Sequence, residues 1–335
     1  MSDFVTSLRT ISTSAETTPG TPVGLASGND NRAWDLAINS LDVPMDESPS
    51  KYATGDMFNG ESIPGNQSAK ISWRTKFHGE GDGTSAAAGT EPKFTKFFKA
   101  AGCNVVSAVS ASYAGYEIYP DLTKTESTLT VGIYDKSRAS NPVGLFYQFV
   151  GAIGNFVIST EGTGKPYNCA WEFTGGLNDI TDIASSAIPA LTDASTRIPD
   201  RFIDGVATIG TFSACISTME FNAGNEIGAV ECIGADSGYE KFGIIAQNPS
   251  LTINPKLMSE SDYDAWSKFI AGTVEAVTIQ TTEFKLYIPR AQITAFNVED
   301  SEGIVRTPIT FSPLRNTSDV HGFAPWVLTI INWNA

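Results

Sequence analysis

Histidine is nearly missing from this chain: 335 residues hold only His78 and His321. Neither sits in a neighbourhood that suggests a catalytic triad, and the nucleophile-elbow pattern GxSxG does not occur, so both read as surface or loop residues. The four cysteines, Cys103, Cys169, Cys215 and Cys232, show no CxxC or CxxH spacing. That argues against a structural metal, and a chain this long needs no disulfide framework; buried free thiols are the expectation. No charged-then-apolar leader opens the sequence, and its longest apolar stretches, such as Trp326–Ile331, are far too short to span a bilayer. The expectation is a protein made in a cytoplasm with no membrane partner.

Positive charge is also scarce. Against 37 acidic residues stand 22 basic ones, a net charge of −15. Residues 1–200 carry 22 acids and 14 bases (−8), and residues 201–335 carry 15 and 8 (−7), so the acidity is spread along the chain. A protein that grips nucleic acid needs clustered Lys and Arg, and none are present. DNA meeting this surface is expected to be repelled from it, or at best to slide past.

Three short stretches imitate chemical motifs. Gly162-Thr163-Gly164-Lys165-Pro166 lacks the upstream glycine of a phosphate loop and has Pro166 where a magnesium-binding hydroxyl belongs; it reads as a hairpin turn. Gly79-Glu80-Gly81-Asp82-Gly83 lacks the spaced ligands of a calcium loop. Glu299-Asp300-Ser301-Glu302 reads as a solvated turn. No catalytic, cofactor-binding or metal-binding residue is assigned, and the chain reads as something other than an enzyme.

What is present is hydrophobic content of 41%, enough for real cores, with abundant Gly, Ser and Thr and few helical patterns. Alternation marks strands at 128–134, 145–150, 155–160, 167–173, 284–288, 293–298, 305–311 and 327–331. Most of the 35 aromatic residues fall on such positions, where core packing is the plain reading. Two short helices are expected. Pro92–Ala101 turns Phe94, Phe97, Phe98 and Ala101 to one side and stops at Gly102; Ser259–Ala271 turns Tyr263, Trp266 and Ile270 to one side and stops at Gly272. The fold class is therefore mainly β with a few short helices.

The helices sit in matching contexts, with a strand before and a string of strands after. Lys96–Gly102 resembles Ser267–Gly272, and the run Ile158–Gly164 leading to Phe173 parallels Asn297–Gly303 leading to Phe311. This predicts tandem units, each with one flanking helix: a polar N-terminal arm over 1–30, a first β domain over 31–180, a turn-rich linker over 181–206 and a second β domain over 207–335. Residues 46–69 and 79–91 read as long loops.

An ordered series of motifs runs along the chain: Glu16-Thr17-Thr18-Pro19-Gly20-Thr21-Pro22, the Pro92–Gly102 helix, Tyr119-Pro120-Asp121-Leu122, Ser127–Val131, Gly151–Phe156, Trp171–Gly175 and Asn248–Pro255. The series resembles the tail tube (major tail) proteins of long-tailed bacteriophages. The resemblance implies tail-tube-type β-sandwich or barrel units whose subunits join edge to edge into rings. Those rings stack into a hollow tube that conducts DNA during ejection, in the tail of a virion assembled in the host cytoplasm. It also implies partners among tail proteins (tape measure, terminator, distal tail), double-stranded DNA that passes without specific binding, and no catalytic residues. Two units per chain favour a trimer with pseudo-sixfold symmetry over a hexamer. An acidic lumen would let DNA slide, and the arm 1–30 and loop 46–69 are the expected contacts between stacked rings. The alternatives are another ring-forming tail protein, terminator or distal, and a carbohydrate-binding or glycan-hydrolysing receptor protein.

Overall fold

In the computed structural model the described residues are 9–25, 33–42, 45–46, 63–76, 94–109, 114–121, 127–137, 143–184, 187–188, 200–234, 237–301, 303–318 and 320–332. The chain is mainly β; among the described residues there are two short α-helices and every strand pair is antiparallel. The first half contains β1 (Thr10–Ala15), β2 (Trp34–Asp42), a small hairpin of β3 (Met45–Asp46) with β4 (Ile63–Pro64), β5 (Ser68–Lys76) and helix α1 (Thr95–Ala100). It continues with β6 (Cys103–Val109), β7 (Ala114–Pro120), β8 (Leu129–Lys136), β9 (Val143–Thr160) and β10 (Tyr167–Ala184). The second half contains β11 (Val206–Ile209), β12 (Phe212–Ala214), β13 (Ile216–Asn222), a hairpin of β14 (Asn225–Glu231) with β15 (Tyr239–Gln247), and β16 (Ser250–Pro255). After these come helix α2 (Ala265–Ala271), β17 (Val274–Gln280), β18 (Phe284–Phe296), a hairpin of β19 (Glu299–Ser301) with β20 (Ile304–Arg306), β21 (Ile309–Pro313) and β22 (Val327–Asn332).

The two halves repeat one strand order. The first reads β2-β5-β10-β9-β8-β1 across the sheet; the second reads β13-β16-β21-β18-β17-β11. Hairpins β3–β4 and β14–β15 interrupt the same crossing, and each helix follows the strand after that hairpin, α1 after β5 and α2 after β16. Phe173 pairs with Gly154 and Ile71 in the first unit, as Phe311 pairs with Ile293 and Leu251 in the second. The long β10 is matched by two strands: β21 pairs with the end of β18 and β22 with its beginning. Among the described residues the hairpin β6–β7 has no counterpart in the second unit; it reaches β22 there, with Ile118 and Leu286 flanking Leu328 on either side.

Both units share one contiguous apolar core, so the sequence boundaries at 180 and 207 do not separate two cores. Its centre is aromatic. Phe98 meets Phe156 and Trp171 at 4.9 Å each, and Trp73 stacks on Phe173 at 5.0 Å. Offset and edge-on ring pairs of this kind add about 0.5–1.5 kcal/mol beyond burial.

Several expectations need correcting. The segments 145–150 and 155–160 are one strand of 18 residues, because β10 pairs along its whole length. Gly151 keeps a positive φ of 61° inside it, which a side chain would resist. The segments 284–288 and 293–298 likewise fuse into β18, while 305–311 splits into β20 and β21. The first residues of the expected linker are strand, since Asp182, Ile183 and Ala184 pair with Leu145, Gly144 and Val143. The expected polar arm contains β1, whose Ile11, Ser12 and Thr13 are buried against β8. Partner surface for this segment comes from its own chain. Most of the loop 46–69 lies outside the described residues, as do His78 and Gly79–Gly83.

Glu16 explains why the N-terminal segment is ordered. Its carboxylate accepts four hydrogen bonds: from Gly20 N (2.8 Å), Gly151 N (2.8 Å), Thr128 Oγ1 (2.6 Å) and Thr130 Oγ1 (2.9 Å). At the strand's other end Arg9 clamps Asp135 with two bonds of 2.6 and 2.8 Å. Charge-assisted bonds are the stronger kind, and here they tie the start of the chain to β8 and β9.

Candidate functional site

The feature that sets this chain apart is a wall. Eight strands run without interruption in the order β2-β5-β10-β9-β13-β16-β21-β18, four from each unit, and beyond β18 the sheet continues through β17, β11 and β12. The units meet where β13 pairs with the end of β9: Glu220 opposite Ser159, Phe221 opposite Ile158, Asn222 opposite Val157. This pairing is possible because β9 outruns β8, whose register stops at Ala152.

An asparagine cluster locks the joint. Asn155 Nδ2 donates to Asn222 Oδ1 (2.9 Å), and Asn225 N donates to Asn155 Oδ1 (3.1 Å). Asn225 Nδ2 then donates to Ala101 O (2.8 Å), one of the free carbonyls at the end of α1. The second unit thereby caps the helix of the first, and Met219, Phe221, Phe156 and Ile158 are all buried at the junction.

The wall is asymmetric across its thickness. One face carries Ile71, Trp73, Phe173, Phe221, Leu251 and Phe311 into the core. The alternate positions face away from it and are largely hydroxyl and amide: Ser72, Asn155, Ser159, Thr252, Asn254 and Thr310. Lys70, Arg74 and Lys76 share this face with Asp35, Asp42, Glu172 and Glu220, and Asp35 lies 3.9 Å from Arg74. The acidic excess of the whole chain is therefore not gathered on the wall's open side.

Among the described residues, those that sequence reading weighed for chemistry do not converge. His321 lies 3.6 Å from Glu117 and against the Tyr119 ring at 4.7 Å, on a tight turn where its φ is 57°. The Gly162–Pro166 stretch is the hairpin turn between β9 and β10, closed by Lys165 N donating to Gly162 O. Glu299 and Asp300 belong to the exposed hairpin β19–β20. Of the cysteines, Cys103 and Cys169 are buried, but Cys215 is exposed and Cys232 partly so, which corrects the expectation of four buried thiols. Burial pushes the Cys103 and Cys169 thiols up. Burial also raises the Asp200 carboxyl, although Thr281 Oγ1 donates to it at 2.7 Å. Among the described residues no group of three or more His, Cys, Asp and Glu side chains is placed to hold a metal. Among them, too, no helix is long and apolar enough to cross a membrane.

Sequence reading missed the residues that matter most at the joint, Asn155, Asn222 and Asn225. The available signal was the recurrence of asparagine around strand ends, Asn222 and Asn225 beside Asn248 and Asn254, which resembled ordinary turn composition. No protein-family model matches the chain, and no curated protein is similar enough in sequence to count as a relative.

Proposed function

We propose that this chain is a structural subunit of a hollow tube, of the kind long-tailed bacteriophages build as a tail and through which DNA leaves. The observation that carries the reading is the continuous wall, joined inside the chain at β9–β13; among the described residues it is open along β2 at one side and, at the other, along the last residues of β18, which outrun β17. A sheet edge left open is a row of backbone donors and acceptors without partners, which another copy of the chain satisfies. The two ends are different surfaces, so the contact is head-to-tail, and such contacts close into rings when the rotation allows.

With two units per chain, three chains make a ring of six units: a trimer with pseudo-sixfold symmetry. Three copies supply about 24 wall strands, and at the tilt of closed barrels these enclose roughly 45–50 Å at backbone level. Side chains narrow that bore, yet a hydrated duplex passes. The hydroxyl and amide face of the wall lines the channel in this arrangement. With no net positive patch, it offers phosphates nothing to hold. Easy sliding then rests on missing cationic grip, where composition alone had suggested strong like-charge repulsion. Stacked rings form the tail of the virion, assembled in the host cytoplasm, with tape measure, terminator and distal tail proteins as neighbours.

Electron microscopy of the purified full chain tests the reading. Hollow tubes or rings whose end-on averages show threefold order with six similar lobes are the expected result. Dispersed monomers at every concentration reached would overturn it.

A further inference from the structure

We infer that the outer apolar stripe of α2, together with the last residues of β18, is the socket that receives strand β2 of a second copy of this chain. The inference rests on the tube reading and specifies its contact surface. Its template lies inside the molecule, at the joint between the two units.

At that joint β9 carries Phe156 and Ile158 beyond the reach of β8, and β13 covers them with Met219 and Phe221. The second unit has the same overhang. β17 stops pairing with β18 at Gln292, as β8 stops at Ala152 on β9. Beyond Gln292, among the described residues, no strand pairs on that side of β18. Counting outward from Ala152 and Gln292, Phe156 corresponds to Phe296 and Ile158 to Val298. Ile158 is 0% exposed, whereas Val298, two residues past the end of β18, is 54% exposed and Phe296 only partly covered.

The helices differ in the same way. Phe97 and Phe98 of α1 are wholly buried. On α2, Trp266 is 59% and Ile270 67% exposed, one turn apart on a single side. Trp266 leans toward Phe296, with ring centroids 6.3 Å apart. Between them runs a groove of about 310 Å³, whose walls include Leu257, Met258, Tyr263 and Thr307. A helix stripe and a strand end that are both apolar and both uncovered are a surface built to be occupied.

The missing cover is present elsewhere in the chain. β2 holds in the first unit the place that β13 holds in the second: each pairs with the strand before its helix, β2 with β5 and β13 with β16. Ile38 opposite Ile71 matches Phe221 opposite Leu251, and Leu36 falls where Met219 does. Yet Leu36 and Ile38 are only partly buried, while Met219 and Phe221 are buried. Each half of the inner joint thus has an uncovered counterpart, one at either end of the wall. Docking β2 of one copy along the end of β18 and the two residues after it in the next copy covers both and sets Ile38 opposite Val298.

Two variants of the full chain test this. In a Cys215→Ser/Cys232→Ser background, Ile38→Cys with Val298→Cys should give, on mild oxidation, a covalent ladder ending at three chains. Either cysteine alone should give none. Trp266→Glu should abolish tubes and rings and leave monomers that melt within about 2 °C of the wild type, because the side chain is a surface one. If the double-cysteine protein forms tubes without a ladder and Trp266→Glu still forms tubes, the socket lies elsewhere and the tube reading stands. If the wild type itself forms neither tubes nor rings, both readings fall together.

Discussion

Replacing Glu16 should loosen the first unit more than any other change to the N-terminal segment. The carboxylate gathers two backbone N–H groups, from Gly20 and Gly151, and two threonine hydroxyls. Thr130 Oγ1 also accepts from Val23 N at 3.1 Å, so the bonds form a chain holding residues 16–23 on the sheet. Bonds to a charged group are worth about 1.5–3 kcal/mol each, and four would sum to several times the value of one. Glu16 is only partly buried, however, and water can replace part of the loss. In Glu16→Ala the hydroxyls rotate to other acceptors, but the two amides are fixed, which puts the cost at about 3–5 kcal/mol. Glu16→Gln keeps one oxygen and sets an NH₂ against the remaining donors, so about 1–2 kcal/mol is expected. Urea unfolding followed by tryptophan fluorescence measures both, and amide exchange at Gly20 and Gly151 should quicken in step. Should Glu16→Ala unfold at the wild-type midpoint, the carboxylate hub does not hold the segment and β1 is bound by its strand pairing alone.

The two helices make a contrast: Phe98→Ala should cost about 3–5 kcal/mol by opening a cavity under α1, while Trp266→Ala should change monomer stability by less than about 1 kcal/mol. Equal losses in urea titrations of the two would contradict the difference in burial. A thiol reagent in native buffer should label Cys215 quickly and Cys232 more slowly, leaving Cys103 and Cys169 silent until denaturant is added, since burial keeps them as thiols. Four equal labelling rates in the folded protein would be incompatible with that core. For Asp200, burial raises the folded carboxyl above its unfolded value, so the folded state binds its proton more readily and the ionised form costs stability at neutral pH. Asp200→Asn keeps an acceptor for Thr281 and should be the more stable protein at pH 7, with the gap closing as pH falls toward 4. A wild type that gains on the variant as pH rises over that window would reverse the sign.

Part of this architecture was legible in one dimension. Gly102 and Gly272 end the two helices in left-handed conformations, with φ of 74° and 63°, because only glycine enters that region freely. The hairpin at Gly162–Pro166 follows from its residues in the same way. Alternation along 128–134 and 327–331 announced β8 and β22. Even the tandem arrangement was visible, although the matched runs are offset by one residue: Ile158 corresponds to Val298, not Asn297.

Other features depend on partners far away along the chain. Gly151 and Gly154 look like breaks, and β9 passes through both because β10 binds its full length and Glu16 holds the Gly151 amide. Tyr263, Trp266 and Ile270 share one apolar pattern, yet only Tyr263 is buried. A periodic stripe says that a side chain will face something apolar; it does not say whether that surface belongs to the same molecule. The amino-acid sequence by itself determined where the helices stop, marked some of the strands, β8 and β22 among them, and carried the signs of a repeat. Only the tertiary structure decided that β9 meets β13, that β7 meets β22 and that, among the described residues, the outer side of β2 and the end of β18 stay open. Those pairings join residues such as Ile158 with Phe221 and Ile118 with Leu328 through backbone hydrogen bonds, which any sequence can make and no local pattern can assign.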